Sequence, residues 1–266
     1  MHNQLFVFDI ETIPDTALAH ALTGCESDDI TLQRQALEQY HLEITQGKNS
    51  FLRQPFHRVV AISFLKAEIQ REGNQEHYVL QELRTGGNLD SSEKQLVEGF
   101  YHHLGKMKAR LVSFNGRTFD LPVLKFRAMH HGISAPWVYQ SGDKWNSYTQ
   151  RYSLDWHCDL MDGLSDFGAS SAIKMNEACV LLGLPGKLGT DGGDVMKLFD
   201  QGKLQEIRNY CETDVMNTYL LYLHFMYHRG TLSPSSLEQC LNDAVHYLQE
   251  EGQQRPHLKE FLEAWR

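Results

Sequence analysis

Short apolar runs mark the first half of the chain, and helical periodicity marks most of the second. Residues 4–10, with the run LFVFDI, are rich in Phe, Val and Ile and read as a buried strand. Residues 58–66, RVVAISFLK, read the same way, and residues 77–84, HYVLQELR, alternate like a more exposed third strand. A helix fits Ser92–Leu104, with Ser91 or Ser92 as its cap. Residues 110–114, RLVSF, form another short buried strand, closed by the turn signal Asn115-Gly116. Leu121–His131 reads as helix, with Pro122 in the first turn, where a missing N–H costs least. A strand is expected near Leu154–Leu160, then helices over Ser171–Leu182, Asp194–Phe199 and Leu204–His228. Ser233 caps a helix running to about Glu251, and a last one runs from His257 to Trp265. This order predicts an α/β fold: an antiparallel three-stranded meander continued by parallel strands, with helices on both faces.

Two polar stretches interrupt the pattern. Residues 22–50 form an insert with a helix near Ile30–Gln46, and residues 139–152 are aromatic and helix-poor. Each fits a loop over a site as well as a surface excursion. Trp145 and Tyr148 in the second are candidate stacking residues.

The 266 residues, 41% hydrophobic, suffice for one large domain with additions. A formal charge of −9 argues against a protein that coats nucleic acid through bulk charge. It leaves open an acidic pocket neutralised by metal ions. Five cysteines without a CxxC pair suggest neither a disulfide framework nor a zinc site. The start MHNQLFVFDIET does not read as a signal peptide, and no apolar stretch is long enough for a membrane span, so a cytoplasmic protein is expected. The tandem histidines 102–103 and 130–131 lack ligand spacing, and no GxSxG, P-loop or GxGxxG occurs.

Three acidic groups carry the chemistry. Asp9 and Glu11 stand at positions i and i+2 at the end of the first strand, so both point to one face. Paired carboxylates repel unless a cation lies between them, and a hard divalent ion with oxygen ligands answers that repulsion. Asp120 opens a helix, and Tyr210 and Asp214 share one face of a long helix at i and i+4. Taken singly, each also fits a solvated strand end, a dipole-favoured helix start or a core-edge tyrosine.

Together the three resemble the DEDDy branch of the DnaQ-like, ribonuclease H-like 3′–5′ exonucleases. FDIET, FHRVVAISF, SFNGRTFDLPVL and YCETDVMNTYLLYL look like the stand-alone exonucleases of family-B-polymerase type over roughly residues 3–228. Motif one is Asp9 and Glu11, motif two Asn115 with Phe119 and Asp120, motif three Tyr210 with Asp214. The segment from Lys187 to Asp194, KLGTDGGD, resembles the lysine and aspartate-glycine stretch before the last motif.

The resemblance implies a ribonuclease H-like mixed five-stranded sheet and a two-metal site using Mg²⁺ or Mn²⁺. Asp9 would bridge both ions, Glu11 and Asp214 would complete the water-activating site, and Asp120 would hold the second ion. Tyr210 would orient the attacking water. Ile10, Thr12 and Ile13 would flank the terminal nucleotide, Asn115 would bond a sugar or phosphate, Phe119 would stack on a base, and Lys187 would meet a phosphate. Phe119 also fits ordinary core, and Lys187 a solvated lysine. The expected partner is a single-stranded DNA or RNA 3′ end, with no membrane involved. Residues 1–230 would form the exonuclease domain and 231–266 a helical extension. The competing readings are a phosphodiesterase for oligonucleotides or RNA tails, and a non-catalytic nucleic-acid-binding module.

Overall fold

The computed structural model describes residues 2–189 and 192–265. Strand β1 spans Gln4–Pro14, followed by short helices α1, Ala19–Thr23, and α2, Ile30–Ile44. Strands β2, His57–Glu72, and β3, Gln75–Thr85, complete an antiparallel meander. Helix α3, Glu93–Met107, leads to β4, Arg110–Ser113, and α4, Asp120–His130. Then come α5, Pro136–Gln140, β5, His157–Asp159, α6, Leu160–Leu164, and α7, Met175–Leu181. The chain closes with α8, Val195–Asp200, α9, Leu204–His228, α10, Pro234–Glu251, and α11, Pro256–Ala264. The sheet order is β3-β2-β1-β4-β5, with β4 parallel to β1 and β5 parallel to β4. This mixed sheet flanked by helices is the expected ribonuclease H-like α/β architecture.

The central strand β1 is apolar on both faces because both are covered. Phe6, Phe8 and Ile10 pack with Phe100, Leu104 and Leu124 of α3 and α4. Leu5 and Val7 face the opposite way, into a core with Val215, Tyr219 and Leu223 of α9. Asp9 and Glu11 continue this second set, so strand alternation aims them at α9.

Several boundaries move. β1 does not stop after the acidic pair: it pairs with β2 as far as Pro14 across a bulge between Glu11 and Thr12. The acids therefore sit inside a strand. The extra residue of the bulge is Val60 on β2, and it joins Ile13, which keeps the face of Asp9 and Glu11, in an apolar cluster with Val195 and Ile207. The helix expected over Ser171–Leu182 starts at Met175, where the Lys174 N–H donates to Glu177 Oε2 at 2.7 Å. The strand near Leu154–Leu160 shortens to three residues. Tyr148 is core rather than a stacking residue: it is buried, and its hydroxyl donates to the Ala109 carbonyl at 2.8 Å. Trp145 is exposed. Of the segment Lys187–Asp194, Thr190 and Asp191 lie outside the described residues.

Two polar networks hold the frame. Arg127 of α4 pairs with Asp15 beyond β1 at 2.6 Å and with Glu93 of α3, which also accepts the Val59 N–H at 2.7 Å. This ties the helix bearing Asp120 to the end of the strand bearing Asp9. Glu212 of α9 accepts from Arg255 and bonds His257 at 2.7 Å, fastening α9 to the start of α11. No helix among the described residues is long and apolar enough to cross a membrane.

Candidate active site

Asp9, Glu11 and Cys211 converge first: one ligand atom from each lies within 4.8 Å of the others. Cys211 approaches the Asp9 carbonyl at 3.5 Å and Asp9 Oδ2 at 3.7 Å, so its thiol sits under the first acid. Asp120 enters from the opposite side of β1, where its Oδ1 accepts the Ile10 N–H at 3.1 Å. That bond fixes motif two against motif one through the backbone.

Asp214 comes from α9, one turn beyond Tyr210. It is 6% exposed, and its Oδ1 has no hydrogen-bond partner. A buried carboxylate oxygen left in this way is costly unless a cation meets it. Lys187 lies beside this pair: its ammonium donates to the Tyr210 hydroxyl at 2.6 Å and stands 3.8 Å from Asp214 Oδ2.

The electrostatics record crowding. Burial, then repulsion from Asp120 and Asp214, pushes the Asp9 carboxyl well above its ordinary range. Burial, then the charges of Asp9, Asp214 and Asp120, does the same to Glu11. Burial raises Asp120 to about 7. Burial raises Asp214 to about 6, against the opposing pull of Lys187. Burial and the nearby charges of Asp214 and Glu11 push the Tyr210 phenol up, so it keeps its proton at neutral pH. Four carboxyl groups held in this way suit hard divalent cations with oxygen ligands.

The turn before Asp120 is built tightly. Asn115 adopts φ 66°, a left-handed conformation that asparagine tolerates. A Cβ on Gly116 would meet Ser113 Oγ at 2.5 Å, so only glycine fits there. Asp159 at the end of β5 gathers the turn, accepting the N–H groups of Asn115 at 2.9 Å, Arg117 at 2.7 Å and Met161 at 3.0 Å. Asp159→Ala leaves these partly buried donors without an acceptor. It is expected to cost on the order of 3 kcal/mol in urea unfolding, whereas a surface acid would cost almost nothing.

The flanking residues divide. Ile10 and Ile13 place their side chains in the cores, at 5% and 4% exposure, which leaves their main chain for a substrate. Thr12 Oγ1 meets His57 Nδ1 at 2.9 Å, while His57 Nε2 meets the Leu52 carbonyl at 3.0 Å. A carbonyl only accepts, so Nε2 carries the proton and Nδ1 takes the Thr12 hydroxyl hydrogen in the neutral ring. Thr12 is thereby left as an acceptor. Phe119 is half-buried, with His57 edge-on to it at 4.9 Å.

Sequence reasoning missed Cys211, Asp159 and His57. Cys211 stands three residues before Asp214 on α9, a spacing that signals a shared face. Asp159 ends the strand parallel to the one that carries motif two, which becomes visible only once β4 and β5 are paired.

The ribonuclease H-like sheet thus brings carboxylates from β1, α4 and α9 close enough to repel one another. Residues 49–265 match the family of predicted 3′–5′ exonucleases related to the exonuclease domain of PolB, and the chain belongs to that family. Asp9 and Glu11 lie before the matched stretch, which runs on through α10 and α11. No curated protein matches the chain.

Proposed function

We propose that this protein hydrolyses single-stranded DNA or RNA from the 3′ end, one nucleoside monophosphate at a time, with two divalent ions, Mg²⁺ or Mn²⁺. The observation that carries the reading is the convergence of acids from three distant segments around a buried, unpartnered oxygen of Asp214. Asp9, Glu11, Asp120 and Asp214 would hold the ions. Bound there, divalent cations lower the pKa of water and stabilise charge on the reacting phosphate.

The chain's own groups supply position. Tyr210, protonated at neutral pH, orients the attacking water by hydrogen bonding and does not take its proton. Lys187 donates to the phenol oxygen and so fixes the direction of the hydroxyl. Asn115 is held in its turn by Asp159, and its side-chain oxygen accepts from the Thr118 hydroxyl, which leaves its amide N–H groups for a sugar or phosphate. Thr12 presents an acceptor toward the terminal nucleotide, and Phe119 an aromatic face.

Tyr210→Phe is expected to lower kcat about a hundredfold through lost orientation, with little change in KM. The rising limb of its pH–rate profile, where a general base would lose its proton, should stay where it is in the wild type. A rising limb that vanishes with the hydroxyl would make Tyr210 a general base instead. The reading as a whole is tested by chromatography of products from linear and circular single strands in Mn²⁺. Monophosphates from the linear strand alone support it, while cleavage of the circle contradicts it.

A further inference from the structure

Phe51 is a large apolar side chain that the fold leaves 59% exposed. Its ring centroid lies 5.6 Å from that of Phe119 and 5.1 Å from the His57 ring. Phe119 immediately precedes Asp120, and His57 is bonded to Thr12, one residue beyond Glu11. The exposed ring therefore borders the acid cluster through two separate routes.

The chain holds Phe51 in place from both sides. Its N–H donates to Asn49 Oδ1 at 2.9 Å, and three residues on, Gln54 Nε2 donates to the Thr118 carbonyl of the motif-two turn at 2.9 Å. Helix α2, which precedes it, is fastened to α8 by a forked pair from Arg34 to Asp200 at 2.6 and 2.7 Å. Little conformational entropy remains to be lost when a ligand covers such a ring. Burial also holds His57 below its ordinary pKa, so the ring beside Phe51 is neutral at pH 7 and the patch is an uncharged aromatic surface.

We infer that Phe51, together with Phe119, forms a stacking platform for a nucleobase at the 3′ end of a single strand. This rests on the proposed exonuclease reading and adds a determinant of substrate class. The strand's phosphates belong with the acids and their cations, and the bases are its apolar, planar part. A π-face accepts all four bases, so the platform favours unpaired ends without reading sequence. A base held in a duplex is stacked on its neighbours and unavailable to it.

The test is equilibrium binding of a short single-stranded DNA oligonucleotide in Ca²⁺, compared among wild type, Phe51→Ala and Phe51→Trp. A second strand carries an abasic 3′-terminal nucleotide. Phe51→Ala is expected to weaken binding of the normal strand roughly fivefold to a hundredfold, as for loss of one stacked base. Phe51→Trp should retain the affinity, and the abasic end should erase the difference between wild type and Phe51→Ala. Equal affinity of Phe51→Ala and wild type for the normal strand overturns the platform. Binding with the expected ratios but no cleavage by wild type in Mn²⁺ supports the platform and sinks the exonuclease reading.

Discussion

Asp9→Asn is expected to abolish hydrolysis and, in the same protein, to raise the melting temperature in chelator at pH 7.5. Both effects come from one carboxylate. On the proposed reading Asp9 would be one of the four acids that hold the ions, so the neutral amide removes several kcal/mol of charge stabilisation and lowers kcat by roughly a thousandfold or more. Without ions the same charge opposes folding, because burial and the charges of Asp120 and Asp214 disfavour ionised Asp9. Relief worth about 1 kcal/mol corresponds to a rise of about 2–4 °C for a chain of this size. Differential scanning calorimetry in chelator, beside an activity assay in Mn²⁺, reads both. A residue that only supported the fold would lose stability on substitution, the opposite sign.

Divalent cations are expected to stabilise the protein, and to do so more at pH 8 than at pH 5. Asp120 and Asp214 have folded pKa values of about 7 and about 6, above their ordinary 3.8. A carboxyl raised in the folded chain keeps its proton where the unfolded chain has lost it. Its contribution to stability is full below pH 4 and lost as pH rises through 6 to 7. The metal-free protein thus gives up stability at this site as pH increases, and cations bind the ionised acids that cause the loss. At a hundredfold excess over Kd the gain is about 2.7 kcal/mol, or about 5–10 °C in Tm for a chain of this size. Thermal scans with and without Mn²⁺ at pH 5 and pH 8 test the sign. An increment that shrinks as pH rises would place the cations elsewhere.

Much of this site is legible in the sequence, for reasons that differ among residues. Strand alternation is local, so the shared face of Asp9 and Glu11 follows from their spacing. The same holds for Tyr210 and Asp214 on α9. The meander and its parallel continuation follow from the apolar runs and their order along the chain, and the sheet order agrees. The bulge after Glu11 was not legible, because it depends on the β2 partner and not on β1 itself. Asp159 is a plain acid in the sequence, and its role exists only because β5 lies beside β4 and faces the Asn115 turn. Phe51 stands just past a polar insert, and pattern reading has no means of telling that the fold returns it to Phe119.

The most direct test of the central claim is a degradation ladder. A single-stranded oligonucleotide labelled at its 5′ end, as DNA and as RNA, is incubated with Mn²⁺, Mg²⁺ or chelator, beside Asp9→Asn. The account predicts stepwise shortening from the 3′ end with metal, and full-length strand in chelator and with the variant. Shortening that persists in chelator or in Asp9→Asn, or a wild type that leaves both strands intact under either metal, would contradict it.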